Sequence, residues 1–362
     1  MSQINRRNFI QQTTMATVAA TTASLASTSF AAETLRIKAA QIGTKHAHAS
    51  GKIATLRKLS DLYEVVGIVE PDDAQWERVK NQAAYKDLIR LSEEELLSDK
   101  SVQVIAVETE VSKLVPTAMR CIQNNKHIHL DKPAGESMSD YRTLRKGSDE
   151  RGLTVQLGYM LRYNPAFQFM FNAVKEGWLG TITEVSAMMG KMASPGLRKD
   201  LAQYPGGGMF ELACHIIDAV VFALGKPDSV STFSSNVIID GTEFKDNQLA
   251  VLQYEKALAT VRCNHVDPLG FSRRSFSIIG DQGMIAINPL EPPKLQMTLT
   301  KSIAGYSKGS HTIELPKTEG RYDGEFKDLA EIVRGNKKLA WNSAHDLAAH
   351  ETILRSCGLP VD

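Results

Sequence analysis

Between Leu35 and Gly158, short apolar runs alternate with segments of helical length, and this rhythm constrains the fold more than any other feature of the sequence. The run Val65-Val66-Gly67-Ile68-Val69 is apolar without alternation, as expected for a strand that helices cover on both faces. The pattern predicts βαβ units and a parallel sheet over residues 35–158. The predicted strands span residues 35–42, 64–70, 102–108, 127–130 and 154–157.

After Gly158 the rhythm changes to longer alternating strands joined by short turns. Glu255-Lys256 and Asp281-Gln282-Gly283 indicate hairpins and hence a mostly antiparallel sheet. From Asp323 to Cys357 the chain has a helical pattern again. We therefore predict an α/β chain with a parallel-sheet domain in residues 35–158. An α+β domain on an open, mostly antiparallel sheet, which binds substrate and forms oligomers, follows in residues 159–362. The second set of predicted strands spans residues 182–188, 230–239, 248–254, 259–264 and 275–279.

The first 31 residues have the pattern of an export signal. Paired arginines, Arg6-Arg7, precede a weakly apolar stretch that ends in Ser29-Phe30-Ala31, which resembles a twin-arginine signal peptide. The stretch is too short and too polar to span a bilayer, so we expect no membrane association after cleavage. We predict a periplasmic or secreted protein. Because twin-arginine transport carries folded proteins, a tightly held cofactor is expected.

The charge balance of the chain indicates which kinds of partner it binds. The 42 basic and 41 acidic side chains leave a formal net charge of +1, with no basic block of the kind that binds nucleic acid. Small molecules are the expected partners, together with further copies of the chain in a dimer or tetramer, because an open sheet leaves one face to cover.

The four cysteines form no C-x-x-C pair, so we expect buried thiols, with one long-range disulfide bond as the alternative.

A turn of the dinucleotide-binding type begins at Gly43, but Lys45 and His48 replace the second and third glycines of the G-x-G-x-x-G fingerprint. The helix that begins here favours an anion, and Lys45 adds a positive charge. Glu70 ends the second predicted strand, where an acid binds the adenosine ribose and repels a 2′-phosphate, so NAD is favoured over NADP. The alternative for Glu70 is that it only opens a solvated turn. The predicted cofactor-binding residues here are Gly43, Thr44, Lys45, His46 and Glu70.

Two His-x-His pairs, His46/His48 and His127/His129, have the spacing of metal ligands on an extended segment. No matching cysteine or carboxylate cluster lies nearby in the sequence, and such histidines more often make structural hydrogen bonds. The sequence therefore predicts no metal site.

Two further segments carry ionisable groups where a cleft is expected. Lys132 follows the fourth predicted strand, and ligands of open α/β sheets bind beyond the carboxyl ends of the strands. In the second domain, Gly206-Gly207-Gly208 leads into an apolar helix that places Glu211, His215 and Asp218 on one face. Buried ionisable groups are costly unless paired, so a shared network in a cleft is expected, with a structural Glu–His pair as the alternative.

These motifs together resemble the Gfo/Idh/MocA family of sugar and inositol oxidoreductases over residues 35–359. The resemblance rests on Gly43, Asp131-Lys132-Pro133, Arg162-Tyr163-Asn164-Pro165 and the glycine-led helix. It implies a Rossmann domain, an NAD cofactor and hydride transfer at a CH–OH carbon. It further implies that His215 is the general base, that Glu211 orients its imidazole and that Lys132 stabilises the alkoxide and contacts the cofactor. Arg162 is expected to bind cofactor, and Asn164 and Asp218 are expected to bind substrate.

The sequence also departs from this family, because Asp131 replaces a Glu, Glu211 replaces an Asp, and the segment from Glu108 to Leu114 lacks the usual Pro and His. The leading hypothesis is an exported oxidoreductase of sugars, cyclitols or glycosides with tightly bound NAD. One alternative is an NAD-dependent glycosidase or lyase that oxidises its substrate transiently. Another is a carbohydrate-binding protein that has lost its cofactor.

Overall fold

The computed structural model describes residues 35–317 and 319–361, so the predicted export signal lies outside the described residues. A first sheet contains β1 (Ile37–Ile42), β2 (Tyr63–Val69), β3 (Val104–Val107), β4 (His127–Leu130) and β5 (Val155–Leu157). The helices that follow these strands are α1 (Ala49–Lys58), α2 (Asp73–Val79), α3 (Glu93–Ser98), α4 (Val111–Gln123) and α5 (Met138–Glu150).

All neighbours in the first sheet are parallel, in the order β2-β1-β3-β4-β5. Its central strand β3 is buried along its whole length, because helices cover both faces. The predicted parallel domain and its five strands are confirmed. The carboxyl ends of β1, β3 and β4 therefore lie side by side at one edge of the sheet.

The second half of the chain forms an eight-stranded sheet. Its strands are β6 (Ile182–Gly190), β7 (Ser229–Ser235), β8 (Asn247–Gln253), β9 (Leu258–Asn264), β10 (Ser275–Gly280), β11 (Gly283–Ile287), β12 (Leu295–Leu299) and β13 (Gly309–Ile313). The order is β13-β12-β11-β10-β6-β9-β8-β7, antiparallel except between β6 and β9. The mostly antiparallel α+β domain is confirmed. The last three strands were not predicted, although Leu295, Met297 and Leu299 alternate toward the core.

The helices of this half are α6 (Pro165–Lys175), α7 (Pro195–Leu201), α8 (Gly207–Glu211), α9 (Cys214–Leu224), α10 (Asp323–Val333) and α11 (Ser343–Ser356), preceded by a 3₁₀ turn at Met160–Tyr163. The single helix predicted after Gly208 is wrong, because Leu212 and Ala213 separate α8 from α9. The carbonyl of Glu211 would accept the backbone N–H of His215 in a continuous helix. The Lys132 Nζ donates to that carbonyl instead, at 2.5 Å.

Packing crosses the boundary that the sequence predicts near residue 158. Helix α10 lies against the first sheet, where Phe326 packs with Ile37, Ala39 and Ile53. The hydroxyl of Tyr63 in β2 donates to the Phe326 carbonyl at 2.6 Å. The four cysteines are buried and unpaired, as expected. Among the described residues, no helix combines the length and apolar character that crossing a bilayer requires.

Candidate active site

Lys132 and Glu211 meet in the cleft between the two halves of the molecule. Lys132 follows β4, is almost fully buried and lies with its Nζ 3.3 Å from Glu211 Oε1, in addition to the carbonyl contact. The Glu211 carboxylate raises the pKa of Lys132 despite burial, which acts in the opposite direction. An ammonium ion is therefore fixed at the carboxyl edge of the first sheet.

The carboxylate of Glu211 contacts two lysines. Its Oε2 lies 3.4 Å from the Nζ of Lys191, and burial is outweighed by the two ammonium groups, so the pKa of Glu211 is held well below its usual range. No hydrogen bond joins Glu211 to His215 among the residues that the structure describes. The expectation that Glu211 orients the imidazole of His215 is therefore wrong for this structure, because the lysines take both carboxylate oxygens.

His215 lies in the first turn of α9 and is 3% exposed. Its Nδ1 has no hydrogen-bond partner within the described part of the chain, and its ring contacts Tyr159 edge-on at a centroid distance of 5.9 Å. Burial, together with the nearby Lys132 ammonium, lowers the pKa of His215 well below 6.5. The imidazole is therefore neutral at pH 7 and has a nitrogen that can accept a proton.

The β1–α1 turn keeps the geometry of a dinucleotide-binding turn at its first glycine. Gly43 has φ +93°, and a Cβ there would lie 2.7 Å from the Glu108 carbonyl oxygen, so only glycine fits. Glu70 Oε2 accepts hydrogen bonds from the backbone N–H and the hydroxyl of Thr44, at 2.9 and 2.7 Å. Glu70 Oε1 accepts from the Asp72 N–H. The carboxylate of Glu70 thus fixes the turn from inside and is not exposed to solvent, in contrast to the solvated alternative.

Lys45, in place of the second glycine, bridges two loops at the mouth of this turn. Its Nζ lies 2.8 Å from Asp72 Oδ2 and 3.1 Å from Glu110 Oε1. These two carboxylates raise the pKa of Lys45. A pyrophosphate that binds here would compete with Asp72 and Glu110 for this ammonium.

The residues at the edge of the first sheet fit a nicotinamide dinucleotide. The Gly43 turn leaves no room for a Cβ, helix α1 begins directly after it, and an acid ends β2. The Lys45 side chain and His48 are the departures from the usual glycines. His46 donates its Nε2–H to the Lys132 carbonyl, 3.0 Å away, rather than pointing to a phosphate.

Arg162 and Asp218 form a buried ion pair with each other. The Arg162 guanidinium is fully buried and binds both oxygens of Asp218, at 2.9 and 2.6 Å, and Asp346 at 2.6 Å. These bonds hold the pKa of Asp218 at about 2 against the effect of burial. Arg162 and Asp218 therefore neutralise each other inside the second domain, and the cofactor role of Arg162 and the substrate role of Asp218 stay predictions.

Asn164 also has a structural role. Its Oδ1 caps α6 by accepting the Ala166 N–H at 2.9 Å, and its Nδ2 donates to the Leu290 carbonyl at 3.1 Å. Asn164 borders a cavity of about 460 Å³ that Glu291 and Arg321 also line. Burial and the Lys132 ammonium, with a smaller contribution from the Arg321 charge, lower the pKa of His215.

Sequence reasoning missed Lys191 and Glu108. Lys191 directly follows β6. The predicted strand ends two residues earlier, so the sequence did not place Lys191 at the end of a strand. Glu108 directly follows β3, and its carboxylate is fully buried beside the β1–α1 turn. The rule that ligands bind at carboxyl ends of parallel strands would have found Glu108.

Comparisons with known proteins agree with this fold. Residues 37–159 match the family model described as the oxidoreductase family with an NAD-binding Rossmann fold, and residues 167–286 match the GFO/IDH/MocA C-terminal domain. The chain is 23% identical over 264 residues to scyllo-inositol 2-dehydrogenase (NADP(+)) IolW of Bacillus subtilis, covering 67% of this chain and 72% of that one. It is 22% identical over 252 residues to scyllo-inositol 2-dehydrogenase (NAD(+)) of the same organism, covering 67% and 71%.

Among solved structures, the aldose-aldose oxidoreductase from Caulobacter crescentus has a TM-score of 0.74 at 17% identity, covering 90% of this chain and 98% of that one. The WlbA dehydrogenase from Bordetella pertussis, in complex with NADH and UDP-GlcNAcA, has a TM-score of 0.73 at 17% identity, covering 91% and 100%. At these identities the likeness shows the fold.

The Rossmann sheet, the fixed ammonium and the second-domain imidazole define a nicotinamide-dependent oxidoreductase. More particularly, the chain belongs to the GFO/IDH/MocA family. An NAD(P)-dependent oxidoreductase acting on CH–OH groups is the enzyme class that this membership defines, as the sequence predicted.

Proposed function

We propose that this chain is an exported oxidoreductase that transfers a hydride between tightly bound NAD and a CH–OH carbon of a sugar, cyclitol or glycoside. The observation that carries the proposal is the contact of Lys132 with Glu211 across the cleft, beside the unpartnered Nδ1 of His215. Relatives named as dehydrogenases of inositols support a polyhydroxylated small molecule as substrate.

The roles of the three residues follow from their charges. The neutral imidazole of His215 accepts the hydroxyl proton of the substrate as general base. The ammonium of Lys132 stabilises the negative charge that develops on the same oxygen. Glu211 acts through Lys132, because it keeps the ammonium charged and fixes its position. When bound, the nicotinamide supplies the hydride acceptor.

A preference for NAD over NADP has support at the end of β2. Glu70 is an acid there, and Asp73 is largely exposed nearby. Arg90 is the neighbouring cation that could bind a 2′-phosphate, but its guanidinium donates to the Glu70 carbonyl and to Asp73 Oδ1, both at 2.6 Å. Because Asp73 balances the charge of Arg90, this guanidinium does not offset the repulsion between the carboxylates and a 2′-phosphate.

Export supports tight retention of the cofactor. The Arg6-Arg7 segment has the pattern of a signal for folded proteins, and free NAD is scarce outside the cytoplasm. An exported enzyme of this kind regenerates its cofactor in each cycle, by oxidising one substrate and reducing another. The Lys45 bridge to Asp72 and Glu110 lies at the turn where it can slow cofactor release.

The test is to denature the purified full-length protein, to assay the released small molecules for NAD(H) by fluorescence and mass, and to measure turnover on sugars, cyclitols and aryl glycosides. We expect bound NAD(H) and substrate oxidation in the wild type, and loss of turnover in Lys132→Met. Lys146→Met, which removes an exposed lysine of α5, is the matched control and retains turnover.

Absence of NAD(H), together with no binding of added NAD or NADP, would contradict the proposal and favour a carbohydrate-binding protein. Release of an aglycone without net NAD reduction would favour the NAD-dependent glycosidase instead.

We further propose that the chain forms a homo-oligomer through the open face of the eight-stranded sheet. Phe233 in the edge strand β7 and Leu258 in β9 are more than half exposed. Large apolar side chains on an open sheet face are typical of a surface that a second copy covers.

A further inference from the structure

Four side chains with metal-ligating atoms meet at the carboxyl ends of β1, β3 and β4, and we call them the His–Asp cluster: His46, His48, Asp131 and Glu108. The Nδ1 of His46 lies 2.9 Å from Asp131 Oδ2, and the Nδ1 of His48 lies 3.1 Å from the same oxygen. These three ligand atoms all lie within 4.8 Å of one another. Ligands of one tetrahedral Zn²⁺ lie about 3.3 Å apart, at bond lengths of ~2.0–2.1 Å.

Hydrogen bonding fixes the tautomer of His46 in the form that a metal requires. Its Nε2 lies 3.0 Å from the backbone carbonyl oxygen of Lys132, and a carbonyl only accepts, so Nε2 carries a hydrogen. In a neutral imidazole the Nδ1 lone pair then faces the electron pairs of Asp131 Oδ2. The same Nδ1 also accepts the backbone N–H of His48 at 3.3 Å, and a cation between Nδ1 and Oδ2 would relieve the repulsion between these two atoms. A bond from the distal ring nitrogen to a carbonyl is the usual outer-shell support of a metal-binding histidine.

Asp131 is oriented in the same way. Its Oδ1 accepts the backbone N–H of Lys132 at 2.7 Å and lies 3.3 Å from His48 Nδ1, whereas Oδ2 is the oxygen that contacts both histidines. The side chain is fully buried and packs against Gly158, where a Cβ would lie 2.8 Å from Oδ1. The carboxylate is therefore held in one orientation before any ligand binds.

Glu108 is the second, independent observation. Its side chain is fully buried, and neither carboxylate oxygen has a hydrogen-bond partner among the residues that the structure describes. Its Oε2 lies 3.7 Å from His46 Nδ1 and therefore points into the cluster. Burial and the neighbouring Asp131 carboxyl group, to which Glu108 is hydrogen-bonded when protonated, raise the pKa of Glu108 well above its usual range. A cation bound beside Oε2 would favour the ionised form instead.

The surrounding charges also favour a cation. Glu108, Asp131 and Glu325 are buried together near one buried ammonium, that of Lys52, which is bonded to Glu325. The other nearby ammonium, that of Lys132, is bonded to Glu211. Burial and mutual repulsion raise the pKa values of Glu108 and Glu325, because the cations that face these carboxyl groups do not fully offset the two effects.

We propose that His46 Nδ1, His48 Nδ1 and Asp131 Oδ2 bind a divalent first-row transition-metal cation, with Glu108 as the fourth ligand. Two imidazoles with carboxylates suit Zn²⁺, Co²⁺ or Fe²⁺ rather than Mg²⁺ or Ca²⁺. The His48 side chain is about one-fifth exposed and provides the entry path from the cleft. The site lies next to Lys132, and its assignment does not depend on the reaction that the enzyme catalyses.

The experiment uses the full-length protein after chelation and dialysis, with Zn²⁺ as the probe in calorimetry and Co²⁺ as the probe in visible absorption. Variants His48→Ala and His46→Gln remove ligands, and Glu108→Gln removes the fourth ligand's charge. His311→Gln removes an exposed histidine of β13 and is the matched control. Circular dichroism of each variant checks folding without metal.

We expect one Zn²⁺ per chain with a dissociation constant below about 10 μM, and a rise in melting temperature that depends on Zn²⁺ concentration. His48→Ala and His46→Gln should weaken binding at least about 100-fold, and Glu108→Gln about 10- to 100-fold. His311→Gln should bind as the wild type does.

The proposal would be overturned if the wild type bound Zn²⁺ with a dissociation constant above about 10 μM. It would also be overturned if folded His48→Ala bound Zn²⁺ as tightly as the wild type does.

Discussion

At the residue scale, burial changes the chemistry of side chains that stand in the expected places. His215 is the clearest case, because the Lys132 ammonium and desolvation both disfavour its charged form. Glu211 shows the opposite effect, since two lysines stabilise its charged form more than burial destabilises it. The cleft therefore holds a neutral base beside an ion pair, which is the protonation pattern that oxidation of a hydroxyl requires.

The low pKa of His215 predicts the pH dependence of the reaction. The neutral imidazole is the active form, so kcat/KM should fall only as the pH decreases through a pKa below the ordinary value of ~6.5. A pH profile of kcat/KM measures this limb, and His215→Asn should lower kcat about 10²- to 10⁴-fold. An acid limb centred at pH 6.5 or above would show that His215 is not the base in this environment.

At the element scale, the β1–α1 turn depends on close backbone contact. Gly43 approaches the Glu108 carbonyl and the Thr109 N–H so closely that a Cβ would lie 2.7 Å from each. Its positive φ adds a second restriction. Glu70 then bonds to Thr44, so the end of β2 supports a turn that belongs to β1 and α1.

The close backbone contact and the positive φ at Gly43 can be tested separately by comparison with a second glycine that has only a positive φ. Gly152 also has a positive φ, +64°, but a Cβ there would meet nothing within 4 Å. We expect Gly152→Ala to lower the free energy of unfolding by about 1–2 kcal/mol through backbone strain alone. Gly43→Ala should cost at least about 1 kcal/mol more and should also weaken NAD binding. Urea denaturation and cofactor titration measure both, and equal costs would show that the turn can relax.

At the scale of the whole molecule, a buried ion pair joins the first sheet's helix α1 to the C-terminal helix α10. Lys52 and Glu325 are both fully buried and directly bonded, and Lys52 also lies 4.0 Å from the ring centroid of Tyr322. The carboxylates of Glu325, Asp131 and Glu108 raise the pKa of Lys52 against the effect of burial. Helix α10, from the second half of the chain, thus completes the hydrophobic core around the first sheet.

Removing one partner of this pair should be far more costly than removing both. Lys52→Met leaves Glu325 without its counter-ion and should lower the free energy of unfolding by about 3–5 kcal/mol. The double variant Lys52→Met/Glu325→Leu should recover most of that loss. Lys146→Met breaks the exposed pair with Glu150 and should change stability by less than about 0.5 kcal/mol. Chemical denaturation measures the free energy of unfolding of each variant. A loss in the double variant equal to the sum of the two single losses would contradict this expectation.

Much of the fold was predictable, because the apolar runs of a parallel sheet are local in sequence. The five strands of the first sheet and the position of Lys132 at a strand end follow from such runs. Strands β11 to β13 were missed, although residues 295–299 alternate, because each has only five residues and prolines at 289, 292 and 293 lie between β11 and β12. The break between α8 and α9 was missed because the contact that the Glu211 carbonyl makes there, with Lys132, comes from the other half of the molecule.

The sequence by itself determined which chemical groups stand at the ends of the strands and on the glycine-led segment, since periodicity and turn residues are read along the chain. Only the tertiary structure decided how those groups are paired. It joined Arg162 to Asp218, turned Glu211 toward two lysines, and brought Asp131 and Glu108 to His46 and His48. The physical reason is that ionic and metal-ligand contacts depend on distances of a few ångströms between residues that are far apart in the chain, and such distances exist only after the sheet edge and the second domain have packed together.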